Sequence, residues 1–247
     1  MSGLKKSKFT FVPSSANCLD AIYLFKEVFD APMSQDFWFW KYPENSESFS
    51  VSVYCNDEIT GHNGGILRDF NFQGVLYKAL QSCDVAIKKE FRSFHKDGVF
   101  DRMTKQFISN AFENGVDFIY GFPHGRHLKL GVRVGSYLSA GSVLQWISKG
   151  YMSSPVEGIR EVFLREFSSE DYACYLSSFY SSLNNSNYAF LLRDFDYIKF
   201  RYISNPTFSY RYFVHEYALV VVKNNGNMMV VMDYIGDIDY FKTVMTV

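Results

Sequence analysis

Apolar and polar positions recur along the chain in short blocks, each with its own period. Residues 8–12 alternate as a strand, 13–15 turn toward a helix N-cap, and Ala21, Leu24, Phe25 and Val28 then mark one helical face. A second, short helix rich in Phe and Trp is predicted over 34–42 and stops at Pro43. Residues 48–55 alternate again, Asn56 and Asp57 turn the chain, and 59–70 return as the second strand of a hairpin. Gly61, Gly64 and Gly65 in the returning strand predict a bulge or the close approach of another group. Gly74 then leads into a strand that ends at Ile87.

The centre of the pattern is 80–123. Residues 83–87 and 116–122 are short, β-prone runs of strand length. Between them Val99, Phe100, Met103, Phe107, Ile108 and Ala111 share one helical face, while Asp101, Lys105 and Asn110 lie on the other, and Asn114 with Gly115 stops the helix. Strand, loop, helix, strand is a βαβ unit with a right-handed crossover. Its loop, 88–98, delivers Gly98 to the first turn of the helix, where unpaired N–H groups and the positive dipole end favour an anion; Arg92 and Lys96 add charge. Any polar βα loop with one turn-forming Gly has a similar composition, so the loop by itself does not define a site.

After Pro123, residues 124–137 are read as a loop and a short helix, 142–147 as a strand, and 150–158, with two Gly, a Pro and a Ser pair, as a linker. Beyond it the opening order returns: strand 161–167, cap 168–171, helix 172–183, short aromatic helix 194–202, then strands 210–223 and 228–234 joined by Asn224, Asn225 and Gly226. Lys41, Tyr42 and Asn45 recur as Arg201, Tyr202 and Asn205 at a constant offset of 160. The pattern predicts two domains, 1–150 and 159–247, the second a partial repeat of the first. The fold class is α/β in the broad sense, an α+β mixed sheet that is mainly antiparallel with the parallel βαβ crossover at its centre.

Composition narrows the functions. Net charge is −1, from 25 basic and 26 acidic residues, so no global field draws the chain to nucleic acid or an anionic membrane, and any anion site must be local. With 25 Phe and 18 Tyr, aromatic residues reach 19%, which predicts a thick aromatic core and a Tyr-lined cleft. Cys18, Cys55, Cys83 and Cys174 form no CxxC pair, which argues against zinc and fits reduced thiols. The basic first residues are followed by no apolar run, and no segment approaches the length of a membrane span, so a cytoplasmic protein is expected.

The central segment also carries a family resemblance. DVAIKKEFR, GVFDRM and GVDFIYGFPH resemble the acyl-CoA-binding segment of the GNAT acetyltransferases. Asp84, Val85, Ile87, Glu90, Phe91 and Arg92 fall on its strand and loop start, Gly98, Val99 and Phe100 on its helix start, and Tyr120, Gly121, Phe122 and Pro123 on its second strand. Lys89 stands where the family often has Pro, Ser93 where it has the first loop Gly, and 93–97 lengthen the Arg-to-Gly interval by three residues. The resemblance implies acetyl-CoA as co-substrate and no metal. Backbone at Val85 and Ile87 would hold the pantetheine, and Arg92, Ser93, Lys96, Asp97, Gly98 and Val99 would meet the pyrophosphate. It further implies acyl transfer to an amino group of a small molecule or sugar nucleotide, because the branch with the YGFP motif often sits in surface-polysaccharide synthesis. A homodimer stays open, as does a catalytically inactive GNAT-like binding or assembly module. The second copy stops at Val247, where the first would begin its CoA-binding strand, so a non-catalytic lobe is expected, in a short gene or a fragment.

Such a transfer needs an amine freed of its proton, a donor for the oxyanion and a proton for the leaving thiolate. His124, where the family usually has Asn, is a candidate base, with His127 three residues on; both point into the cleft from successive turns, or both are solvated loop residues. His62 is a second candidate, or else a satisfied half-buried histidine. Asp84 either receives the substrate amine or serves a structural hydrogen bond. Tyr120 can donate a proton or simply pack. The Tyr that many members of the resembled family carry in the helix after the second strand has no secure match in 127–137, where Tyr137 is the only Tyr, so the general acid stays unassigned. Cys83 lies in an apolar strand, which argues against a nucleophile.

Overall fold

A computed structural model describes residues 8–14, 19–43, 49–142, 158–163, 168–184, 187–215, 218–226 and 228–236. The chain forms two compact units, one made of Met1–Asp69 and Tyr77–Ser142, the other of Phe70–Leu76 and Val143–Val247.

In the first unit, β1 (Phe9–Ser14), α1 (Leu19–Phe29) and α2 (Gln35–Lys41) lead into three long strands, β2 (Phe49–Cys55), β3 (Glu58–Phe72) and β4 (Val75–Ile87). Then come α3 (Val99–Glu113), β5 (Phe118–Gly121) and α4 (Gly125–Val134). The strand order is β1-β2-β3-β4-β5, and β4–β5 is the parallel pair that the βαβ crossover produces. The β2–β3 turn places Asn56 and Asp57 at φ +51° and +66°, as a tight hairpin requires. Ser34 caps α2 by accepting from the Phe37 N–H at 3.2 Å.

Helices cover both faces of this sheet. Val99, Phe100, Met103, Phe107 and Ala111 of α3 pack with Val51, Val53 and Leu80 on one side. Ala21, Leu24 and Phe25 of α1 and Trp38 of α2 pack with Tyr42 and Ile59 on the other. Double coverage explains why β3 is buried without interruption from Ile59 to Gly65 instead of alternating. It also explains the glycines. A Cβ at Gly65 would stand 2.8 Å from Leu80 Cγ and from Phe107 Cζ, and one at Gly64 would stand 2.5 Å from the Tyr42 hydroxyl oxygen.

The second unit contains β6 (Arg160–Val162), α5 (Ser169–Asn184), β7 (Phe190–Leu191), α6 (Phe195–Ile198) continued by a π-helical turn Lys199–Ile203, and the strands β8 (Arg211–His215), β9 (Ala218–Asn225) and β10 (Met228–Gly236). Its sheet runs β10-β9-β8-β6, all antiparallel. Phe70 and Asn71, which belong to this unit, pair with Leu191 and Phe190. The core gathers Tyr172, Phe179, Ile198, Tyr202, Leu219, Val221 and Ile235.

Several expectations are corrected. The run 210–223 is two strands, not one: Val214 pairs with Leu219 and His215 with Ala218, so the chain reverses within a β-prone stretch that carries no Gly or Pro signal. The second βαβ strand is Phe118–Gly121, shorter than 116–122, because Val116 and Asp117 form the entry from α3. The strand expected at 161–167 is described only as Arg160–Val162, and most of the strand at 142–147, most of the linker at 150–158 and Asn45 lie outside the described residues. Among the described residues no helix is long and apolar enough to cross a membrane.

Gly65→Ala should cost about 1–3 kcal/mol, because the new methyl meets side chains on both sides in a packed core. Urea unfolding checks it: the midpoint should fall with an unchanged slope. A wild-type midpoint would mean that Leu80 and Phe107 yield freely.

Candidate functional site

β4 and β5 pair from Ala79 and Phe118 to Ser82 and Gly121; β4 then runs on through Cys83–Ile87 without its parallel neighbour. The strands part at a close approach, where a Cβ on Gly121 would stand 3.1 Å from the Ser82 carbonyl oxygen. The opening leads to the loop 88–98. Lys88, buried, begins it by pairing with Glu58 and, at 2.9 Å, with Glu27. A 3-10 turn over Lys89–Phe91 follows, and Arg92 Nε donates to the Ile87 carbonyl at 2.8 Å, which folds this guanidinium over the end of β4.

Gly98 is the N-cap of α3 and supplies no side-chain hydrogen bond, so the first helical N–H groups are not capped. Its φ is ordinary at −70°, and a different constraint selects Gly: a Cβ there would lie 1.9 Å from Ser93 Oγ. That hydroxyl oxygen is buried and has no partner among the described residues. Two of the expected loop amides are already engaged. The Asp97 N–H donates to Asp101 Oδ2 at 2.8 Å and the Gly98 N–H to the His95 carbonyl at 3.3 Å. Asp101, fully buried, also accepts from Lys105 at 2.7 Å and from Ser136 Oγ at 3.2 Å.

On the α1/α2 face, β4 kinks where it leaves β5. Asp84 has φ +51°, a left-handed conformation that Asp tolerates better than most residues. Its carboxylate receives the Tyr42 hydroxyl at 2.5 Å and pairs with Lys41 Nζ at 2.5 Å. Tyr42 Oη also lies 3.2 Å from Cys83 Sγ. Burial pushes the Tyr42 phenol well above its ordinary range and the Cys83 thiol up to about 11, so both stay protonated near neutral pH. In the sequence Lys41 and Tyr42 stand out only as repeated residues. The signal that could have joined them to Asp84 was Gly64, whose missing Cβ leaves room for the Tyr42 hydroxyl.

His62 lies beneath this cluster and is fully buried, so it does not open onto the cleft in the manner expected of a base. Its Nδ1 is 3.1 Å from Ser52 Oγ, its ring packs 5.6 Å from Trp38, and its Nε2 has no partner among the described residues. Burial lowers its pKa to about 4, with Asp84 opposing and Lys41 assisting.

The two α4 histidines diverge. His124 is the exposed N-cap of α4, while His127 turns inward with Nε2 3.0 Å from the Tyr137 hydroxyl and its ring 5.3 Å from Phe100. The Tyr137 ring lies over Gly131, where a Cβ would be 2.0 Å from its Cδ2, and burial pushes its phenol up to about 12. The pair therefore does not converge on one point, because the inward step of the helix falls at 127. Tyr120, half-buried, donates to Gln81 Oε1 at 3.5 Å and stands between the rings of Phe118 and Phe122.

The lowered pKa of His62 has a consequence for stability. Between about pH 6.5 and about pH 4 the unfolded chain binds a proton at this residue and the folded chain does not, so stability is full above that window and falls through it, by about 3 kcal/mol for this group. His62→Gln should flatten the loss, read as the difference between urea midpoints at neutral pH and at the acid end of the window. An identical pH slope in the two proteins would contradict it.

No curated protein matches the sequence. Residues 14–130 match the acetyltransferase (GNAT) domain family. The fold is similar to that of a probable N-acyltransferase from Enterococcus faecalis V583, with TM-score 0.68, 11% identity and coverage of 97% of this chain and 61% of that one. It is similar to a GCN5-related N-acetyltransferase from Kribbella flavida, with TM-score 0.60, 12% identity and coverage of 96% and 59%. It is also similar to Saccharomyces cerevisiae N-myristoyltransferase with bound myristoyl-CoA, with TM-score 0.55, 12% identity and coverage of 94% and 63%. The chain thus spans about three fifths of the length of these structures. The parallel pair that parts before an uncapped helix thus lies within residues 14–130, the segment that is similar in sequence to the acetyltransferase (GNAT) domain family.

Proposed function

We propose that the protein is an acyl-CoA-dependent N-acyltransferase that takes acetyl-CoA and acylates an amino group of a small molecule or sugar nucleotide in the cytoplasm. The observation that carries this reading is the parting of β4 from β5 directly before the uncapped N-terminus of α3. A thioester lying in that opening would meet the strand backbone at Val85 and Ile87. The pyrophosphate would meet Arg92, Lys96, the Ser93 hydroxyl and the first N–H groups of α3, beginning with Val99. Asp97 and Gly98 contribute loop shape, since their amides have internal acceptors. The bound myristoyl-CoA of the yeast N-myristoyltransferase supports an acyl-CoA ligand for this fold.

The chemistry follows from placement. The amine nitrogen attacks the thioester carbon, the oxyanion collapses, the C–S bond breaks and the CoA thiolate takes a proton. Asp84 and Lys41 sit beside the opening on the α1/α2 face, with side chains 12% and 18% exposed, and would orient a polar acceptor. His124 is the exposed histidine nearest in sequence to the end of β5 and would draw the proton from the amine, directly or through water. We further propose that 159–247 is a partial copy of 1–150. Support comes from the strand order β10-β9-β8-β6, which follows β4-β3-β2-β1, and from Tyr202, which donates to Asp233 at 2.9 Å as Tyr42 does to Asp84.

One observation favours a second reading, a GNAT-like binding module that has lost its co-substrate: the Asp101 carboxylate is built into the longer loop and occupies one of its amides. Titration calorimetry with acetyl-CoA separates the two, and a panel of amino-sugar nucleotides assayed for released CoA then identifies the acceptor.

Arg92→Ala should weaken acetyl-CoA binding by about 1–3 kcal/mol through loss of a charge-assisted hydrogen bond. Unchanged affinity would remove Arg92 from the site. His124→Ala should lower turnover and flatten the alkaline-rising limb of the pH–rate profile while acetyl-CoA affinity holds. A wild-type profile would return His124 to an ordinary cap residue.

A further inference from the structure

The second unit holds a cavity of about 460 Å³ that the proposed acyl transfer does not use. Phe179 and Leu183 of α5, Phe190 of β7 and Val231 of β10 form apolar walls, and Arg193 and Asp233 form the polar end. At roughly 30 Å³ per water the space equals about fifteen waters, the scale of a small organic ligand.

The two charged groups are unequally satisfied. Asp233 is 5% exposed and both oxygens are taken, Oδ2 by the Tyr202 hydroxyl at 2.9 Å and Oδ1 by the Tyr234 N–H at 3.1 Å. Arg193 Nε forms an ion pair with Asp233 Oδ1 at 2.8 Å but lies off the hydrogen-bond line, and this buried N–H has no hydrogen-bond acceptor among the described residues. Its carbon stands 5.7 Å from the Phe179 ring centroid, and its side chain is 26% exposed. Arg201, whose Nε donates to the Tyr202 hydroxyl at 3.1 Å, is a second cation acting on the same carboxylate. Two guanidiniums against one carboxylate leave a net positive site, which suits an anion better than an ammonium.

We infer that this cavity binds a small organic carboxylate with an aromatic or branched aliphatic body, its carboxylate on the Arg193 fork and its body against Phe179, Leu183 and Phe190. The site stands apart from the acyl-CoA reading, because it lies in the other unit and shares no residue with it.

Titration calorimetry of the intact protein with phenylacetate tests it, with phenylacetamide and phenethylamine as neutral and cationic controls. Phenylacetate should bind at one site with a Kd of about 1 mM or tighter, and the controls at least about tenfold more weakly. Arg193→Lys keeps a positive charge beside Asp233 but removes the planar fork, and should weaken phenylacetate about tenfold. Val231→Trp, at a strand position 36% exposed on the apolar wall, takes up cavity volume while leaving both charged residues in the chain and should abolish binding. Saturating acetyl-CoA should leave phenylacetate binding unchanged. Absence of binding, an amine as tight as the acid, displacement by acetyl-CoA, or wild-type affinity in Val231→Trp overturns the inference. If Arg193→Lys fails to fold, Val231→Trp alone decides.

Discussion

The tie between α2 and β4 is the interaction on which the first unit depends. Asp84 holds a left-handed backbone in the middle of a strand, a conformation that costs about 1–3 kcal/mol in a non-Gly residue. The Tyr42 hydroxyl and the Lys41 ammonium, both on its carboxylate, offset that cost and hold the kink in place. The kink lies just past the last residue that β4 shares with β5, so the same local distortion that docks α2 lets one strand leave another. The opening, the βα loop and the helix start all follow from it in chain order.

The second unit meets a similar demand with different partners. Asp233 follows a register shift between Val231 and Asp233 in β10, and a tyrosine hydroxyl again caps the carboxylate. The cation has changed place. Lys41 pairs directly with Asp84, whereas Arg201 turns its Nε to the Tyr202 hydroxyl and Arg193, from beyond β7, reaches the carboxylate. A residue entering from another element brings a wider charged group into the same corner, and a cavity lies beside it. A tyrosine and a carboxylate alone therefore do not fix what such a corner can hold.

The βαβ centre was legible because its signals are local: the 3.6 period from Val99 to Ala111, the Asn114 and Gly115 stop and the apolar runs on either side. The reversal between His215 and Ala218 was not, since a β-prone run with no Gly or Pro reads the same whether it is one strand or two. The partnership of Tyr42 with Asp84 was hidden for a further reason. A carboxylate on a strand face carries no mark of its partner, and the two lie far apart in sequence. The partner of His127 was not legible either, because spacing places a side chain on a helix face without saying which neighbour fills that face; here it is Tyr137, accommodated by Gly131.

The contact between Tyr42 and Gly64 limits how this sequence can drift. A hydroxyl occupies the volume that a side chain at 64 would need, and that hydroxyl is also what holds Asp84 in its kink. Any gain of bulk at one position is first a loss at the other, and that loss spreads to a third residue on a different strand. Substitutions at 42, 64 and 84 are therefore viable mainly as sets, so related sequences should differ at all three positions or at none.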